Sequence, residues 1–292
     1  MTIGVIGESL VDVFTDADGE SIERAGGSPF NIAIGLARLD IPARLFTSIG
    51  DDARGERLLA TLSSEGVAVT HGTSTSPTSV ASASLDGAGR ATYSFELAWD
   101  PRFDDEWPPL DALHFGSLGS VVGPGAAEVA AIVERYRGEA LISYDPNWRD
   151  GVVDVDPRSA VEANAALADI VKLSDEDAAA VYPGVALEDV AHALLDLGPV
   201  LVVITKGAEG ASAWTRNTAK HCDAPPVDVV DTVGAGDAFM ATVLSELGAM
   251  KRDKVETLTK RELELVLEFA SFVAGRTCER VGADPPHLAD LF

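Results

Sequence analysis

The sequence predicts an α/β protein of three layers, α/β/α, with a mostly parallel central sheet and a small β-strand lid. Two observations carry this. Short apolar runs of strand length alternate with longer stretches of helical period, the pattern of βαβ units whose sheet is covered on both faces. Two segments, Val11–Arg24 and Ser79–Leu97, instead alternate polar and apolar residues around Asp18-Gly19 and Asp86-Gly87, and Asp-Gly between such runs signals a hairpin. Strands are expected at Ile3–Gly7, Ala43–Ile49, Ala112–Gly116, Ala140–Tyr144, Asp169–Leu173, Val200–Thr205 and Ala211–Thr215. Helices are expected at Pro29–Leu39, Gly55–Ser64, Gly125–Arg137, Pro157–Ala168 and Leu187–Leu197, then from Ala235 and from about Thr257 to Arg276. One domain is expected over residues 1–292, with lid strands inserted from about 11–24 and 79–99.

Composition narrows the class. Apolar residues at 46% and charged residues at 24% match ordinary folded proteins and exclude a disordered, collagen-like or disulfide-stapled chain. No apolar run approaches the roughly 18 residues of a membrane span. The opening MTIGVIGESLVD carries Glu8 and Asp12 and no basic leader, so a cytoplasmic protein is expected. Against 47 acidic residues stand 22 basic ones, a net charge of −25. Such a surface repels phosphate backbones and anionic lipid, so neither nucleic acid nor membrane is an expected partner. The acidity reads as solubility or as adaptation to a salty cytoplasm. Cys222 and Cys278 are too few for a disulfide framework, and His221-Cys222 reads as a surface pair.

The most informative segment is Asp231-Thr232-Val233-Gly234-Ala235-Gly236-Asp237. Small residues at 234–236 permit a tight turn, and the helix that follows aims free N–H groups at an anion. Asp237, in the first turn, either caps that helix or acts as a general base beside the anion. A second cluster, Gly26-Gly27-Ser28-Pro29-Phe30-Asn31, opens a helix on Pro29. Asn31 offers a donor and an acceptor to a polyol or faces solvent. Asp12 is placed just beyond the first strand, where α/β sheets gather ligand groups. Other chemistries fail: there is no GxxxxGK[ST], no GxSxG elbow, no metal-ligand spacing among the histidines, and Phe239 stands where a dinucleotide loop needs its third glycine.

These motifs resemble the ribokinase-like (PfkB) carbohydrate kinases. Asp231–Asp237 is similar to that family's C-terminal signature and Gly26–Asn31 to its N-terminal one. Gly50-Asp51-Asp52, Gly55 and Glu65-Gly66-Val67 follow in order. His114-Phe115-Gly116-Ser117 and Tyr144-Asp145-Pro146-Asn147-Trp148-Arg149 look most like the fructokinase branch, with the 2-keto-3-deoxygluconate kinases close by. The resemblance implies an ATP-dependent kinase of a small sugar, with fructose the leading substrate. Kinases of 2-keto-3-deoxygluconate, ribose or a nucleoside are the alternatives, and a non-catalytic binding protein is the remaining one.

It further implies Asp237 as catalytic base, with the N–H groups of Gly234, Ala235 and Gly236 as anion hole. Asp12, Gly26, Gly27 and Asn31 would hold the sugar. Arg149 is either a structural arginine or a contact to sugar or phosphate, and Arg149 or Arg90 would suit a sugar acid. Ser174, Thr205, Gly207, Gly210 and Ser271 would line ATP, whose phosphates Mg²⁺ bridges. The family's N-x-x-E motif reads Ser174-Asp175-Glu176-Asp177 here; Ser174 shortens the amide and Asp177 the acid, so their indirect hold on Mg²⁺ and phosphate would be weaker. Arg280-Val281-Gly282-Ala283 is similar to the monovalent-cation loop, with Asp231 and Gly282 as contributors and K⁺ activation left open. For a nucleoside, Phe14, Phe30 and Phe95 are the available stacking rings. Phe95, Leu97 and Trp99 on the lid would face either the sugar or a partner's lid in a homodimer.

Overall fold

The computed structural model describes the whole chain except residues 16–19, 73–75, 86–90, 104–106 and 150. The two Asp-Gly turns and Arg90 therefore lie outside the described residues. In chain order the elements are β1 (Ile3–Ile6), β2 (Leu10–Thr15), β3 (Ser21–Gly26), α1 (Ser28–Arg38), β4 (Ala43–Thr47), α2 (Ala53–Ser64), β5 (Ala68–His71), β6 (Ser79–Leu85) and β7 (Ala91–Glu96). There follow β8 (Ala112–Gly116), α3 (Gly125–Tyr136), β9 (Leu141–Asp145), α4 (Pro157–Ala165), β10 (Ile170–Ser174), α5 (Asp175–Val181), α6 (Leu187–Leu197) and β11 (Leu201–Thr205). The chain ends with β12 (Ala211–Trp214), β13 (Ala219–Cys222), α7 (Ala235–Leu247), α8 (Arg252–Glu256) and α9 (Lys260–Cys278).

Among the described residues, nine strands form the main sheet in the order β13-β12-β11-β10-β9-β8-β1-β4-β5. All neighbours are parallel except β11–β12 and β12–β13. Successive side chains of a strand point to opposite faces, and here both faces are apolar. In β11, Leu201 and Val203 enter the cluster under α1, α2, α7 and α9, while Val202 and Ile204 enter the cluster under α3 to α6. That is why these strands read as continuous apolar runs.

Local chemistry fixes the helix starts. Asp52 caps α2 by accepting from the N–H groups of Arg54 and Gly55. Ser174–Asp177 and Thr259–Glu262 form capping boxes on α5 and α9. Pro29 and Pro157 occupy first-turn positions of α1 and α4, where the missing N–H costs nothing.

The two irregular segments form a single four-stranded sheet, β3-β2-β6-β7, and this is the lid. Each segment is an antiparallel hairpin as expected. The hairpins are joined by parallel pairing of β2 with β6, which reading them as separate ribbons misses. Trp99 does not belong to the lid. It is buried in the core, where its Nε1 donates to the Gly119 carbonyl at 2.9 Å. Phe30 is likewise a core residue, 2% exposed, and no ring for a ligand. Cys222 is also buried, on the edge strand β13, while His221 beside it is exposed. Among the described residues, no helix is long and apolar enough to cross a membrane.

Candidate active site

The parallel strands end on one side of the sheet, where ligands of α/β folds gather. The site is assembled there around α7. Gly234 precedes the helix with φ 78°, in the left-handed region, and a Cβ on it would lie 2.5 Å from that of Ala283. No side chain caps α7. Asp237, three residues in, turns away from its own helix toward α1: Ser28 Oγ donates to its Oδ1 at 2.6 Å and Asn31 Nδ2 to its Oδ2 at 2.8 Å. The capping alternative is thereby excluded. The two glycine-bearing clusters, far apart in sequence, meet at one carboxylate beside a helix N-terminus. Burial pushes the Asp237 carboxyl above the ordinary aspartate value, and the donors Ser28 and Asn31 and the charges of Lys172 and Arg149 oppose it.

The residues expected to hold a sugar surround this carboxylate. Asp12 lies just beyond β1, within the lid strand β2, opposite Arg24 of β3 and Ala81 of β6. Burial, then the charge of Asp237, pushes its carboxyl up to about 6, with Arg149 pulling the other way. Gly26 ends β3 and Gly27 is the N-cap of α1. Asn31 does not face solvent, because its amide nitrogen is committed to Asp237. Arg149 is exposed, and its Nη1 donates to the Trp148 carbonyl at 2.9 Å.

On the other side, Ser174 and Thr205 terminate β10 and β11, and Gly207 to Gly210 form one 3₁₀ turn and its exit. Ser271 is buried on α9. Asp177 is fully engaged: its Oδ1 accepts from the Trp148 N–H at 2.8 Å, and its Oδ2 from the Ser174 N–H and Oγ at 2.9 and 2.7 Å. Such a carboxylate holds the Asp145–Arg149 segment in place and has little capacity left for a metal. Among the described residues no three His, Cys, Asp or Glu side chains converge as a metal site.

Asp231 and Gly282 are brought together: the Gly282 N–H donates to Asp231 Oδ2 at 2.8 Å and the Val233 N–H to Oδ1 at 3.1 Å. Arg24, from the lid, lies 3.7 Å from the same carboxylate.

Three site residues escaped the sequence reading. Ser28 stands within a quoted motif but is too common a residue type to single out. Lys172 and Asp145 form a buried ion pair at 2.8 Å. The signal for it was a lone lysine inside the apolar run Ile-Val-Lys-Leu.

With this geometry, comparison with known proteins is direct. The model of the pfkB family carbohydrate kinases matches residues 4–289, and the chain belongs to that family. It is a sugar kinase, a phosphotransferase with an alcohol group as acceptor. A fructokinase of Rhizobium leguminosarum bv. trifolii is 37% identical over 271 residues, covering 88% of this chain and 81% of the relative. A fructokinase of Klebsiella pneumoniae is 33% identical over 267 residues, covering 85% and 84%. A fructokinase double mutant from Vibrio cholerae O395, in fructose, ADP and potassium ion bound form, superposes with TM-score 0.86 at 25% identity, covering 99% of this chain and 96% of that one.

Proposed function

We propose that this chain transfers the γ-phosphoryl group of magnesium-bound ATP to a hydroxyl of fructose. The observation that carries the reading is Asp237, held by Ser28 and Asn31 beside the uncapped N-terminus of α7. A carboxylate so placed takes the proton of an attacking hydroxyl, and the N–H groups of Gly234, Ala235 and Gly236 receive the charge that develops on the phosphoryl oxygens. The carboxylate is held by two donors, and among the described residues no cation forms an ion pair with it, so it keeps the basicity the proton transfer needs.

Asp12, Gly26, Gly27, Asn31 and Arg149 surround the sugar, and Ser174, Thr205, Gly207, Gly210 and Ser271 line the nucleotide. Magnesium on the phosphates neutralises charge that an acidic protein would otherwise repel. Asp231 and Gly282 belong to the monovalent-cation loop, a reading supported by the potassium in the Vibrio cholerae fructokinase. The chain acts as one catalytic unit whose lid closes over the sugar and excludes water, and the exposed Phe14 and Ile22 of the lid suit a homodimer formed there. ATP as donor agrees with a cytoplasmic location. Fructose is supported by the two fructokinases at 33% identity or more.

The test is initial-rate ADP release with MgATP against fructose, glucose, ribose, 2-keto-3-deoxygluconate, adenosine and aminoimidazole riboside, in Na⁺ and in K⁺. Fructose should give the highest kcat/KM, and K⁺ should exceed Na⁺. Preference for another member of the panel would overturn the substrate.

A further inference from the structure

Strand β10 carries Lys172 in its middle, 5% exposed between Val171 and Leu173. A buried ammonium is costly unless it is met by a partner, and a buried ion pair is seldom more stable than the apolar residues that would replace it. Stability is thus a weak reason for this pair. Lys172 Nζ donates to Asp145 Oδ2 at 2.8 Å, with the two side chains 6% and 2% exposed. A Cβ built on Gly236 would lie 3.2 Å from that Nζ. The ammonium therefore sits directly against the first turn of α7, under the N–H groups of the anion hole and one residue from Asp237.

We propose that Lys172, held in place by Asp145, is a positioning residue for phosphoryl transfer, supplying a fixed positive charge beneath the α7 N-terminus that acts on Asp237 and on the anion hole together. The proposal rests on the reading of Asp237 as the base.

The surrounding charges define what it must do. Asp237 faces Ser28 and Asn31 from α1, Asp12 from β2, Arg149 from the segment after β9 and Lys172 from β10. Lys172 faces Asp145 of β9, Asp177 of α5 and His114 of β8. Burial works against the ammonium, and the three carboxylates Asp145, Asp177 and Asp237 more than restore it, so it stays charged. Burial and that charge hold the His114 imidazole neutral, down at about 3. Arg149 is exposed and screened by solvent, whereas Lys172 is not, so Lys172 is the cation whose field on Asp237 is least weakened.

The two halves of the pair make opposite predictions, which a merely structural role would not. Single-turnover rates at saturating sugar and MgATP are measured against pH for wild type, Lys172→Met, Asp145→Asn and the double variant Lys172→Met/Asp145→Asn, with thermal unfolding alongside. In Lys172→Met the acid limb should move up by about one pH unit, with the loss of rate largest at low pH. In Asp145→Asn the unbalanced ammonium should move the limb down. The double variant buries neither charge and answers should a single variant not fold: its limb should lie above that of wild type.

Limbs that stay in place, or that move in the same direction in both single variants, would overturn the proposal, as would a double variant at or below wild type. Asp237→Asn is run in parallel. If that variant keeps its activity, the base reading falls and the proposal falls with it. If it is inactive while the limbs stay in place, only the role of Lys172 falls.

Discussion

At the scale of single residues, the site is a set of carboxylates kept apart in role by their partners. Asp177 is saturated by three donors and serves the scaffold, and Asp145 is paired with Lys172. Asp12 feels the charge of Asp237, and burial pushes both above the usual aspartate range. For Asp12 the value of about 6 has a consequence. An acceptor of sugar hydroxyl bonds works best ionised, so it is fully competent above that pH and is lost as pH falls through it. KM for the sugar should rise several-fold between pH 7 and pH 5 while KM for ATP changes little. In Asp12→Asn the sugar KM should be high and insensitive to pH over the same range, which steady-state kinetics at each pH would check. The residue types of this site were legible because they stand in two compact motifs. Their partners were not: that Asn31 and Ser28 serve Asp237, and that Lys172 lies under Gly236, depends on how α1, α7 and β10 pack, and no local spacing encodes that.

At the scale of elements, legibility followed period and length. The central strands β1, β4, β8, β9, β10 and β11 are continuous apolar runs buried on both faces, and the long helices α1, α3, α6 and α9 show a clear apolar stripe, so each was readable. The edge strands β5 and β13 were not: Ala-Val-Thr-His and Ala-Lys-His-Cys are four-residue pieces, exposed or half-buried for most of their length, without the apolar density that marks a strand. The short α5 and α8 fall below the length at which a helical period can be read. The start of α2 was placed two residues late because its cap, Asp52, does more than begin a helix. Its Oδ1 accepts from Arg54, Gly55 and the Thr78 hydroxyl, and its Oδ2 from the Thr78 N–H, tying α2 to the entry of the lid strand β6. Asp52→Ala should lose more than the about 1 kcal/mol of an ordinary N-cap. Urea unfolding would measure it, and a loss no greater than that of an ordinary N-cap would show that the tie to β6 contributes nothing.

At the scale of the whole molecule, two features dominate: a net charge of −25 and a sheet that brings positions more than two hundred apart in sequence to one carboxylate. Like charges at that density repel one another in the folded state, and salt screens the repulsion over about 10 Å at 0.1 M. The unfolding temperature should therefore rise between low and molar KCl. No change would show that the acidity is distributed too evenly to matter. The convergence on Asp237 is the claim on which the rest depends, and it is tested most directly by ADP release from MgATP and fructose with wild type and Asp237→Asn compared side by side. The wild type should turn over, and the variant should lose about 10²- to 10⁴-fold with its unfolding temperature little changed. A folded Asp237→Asn protein that turns over within a few-fold of wild type would contradict that claim.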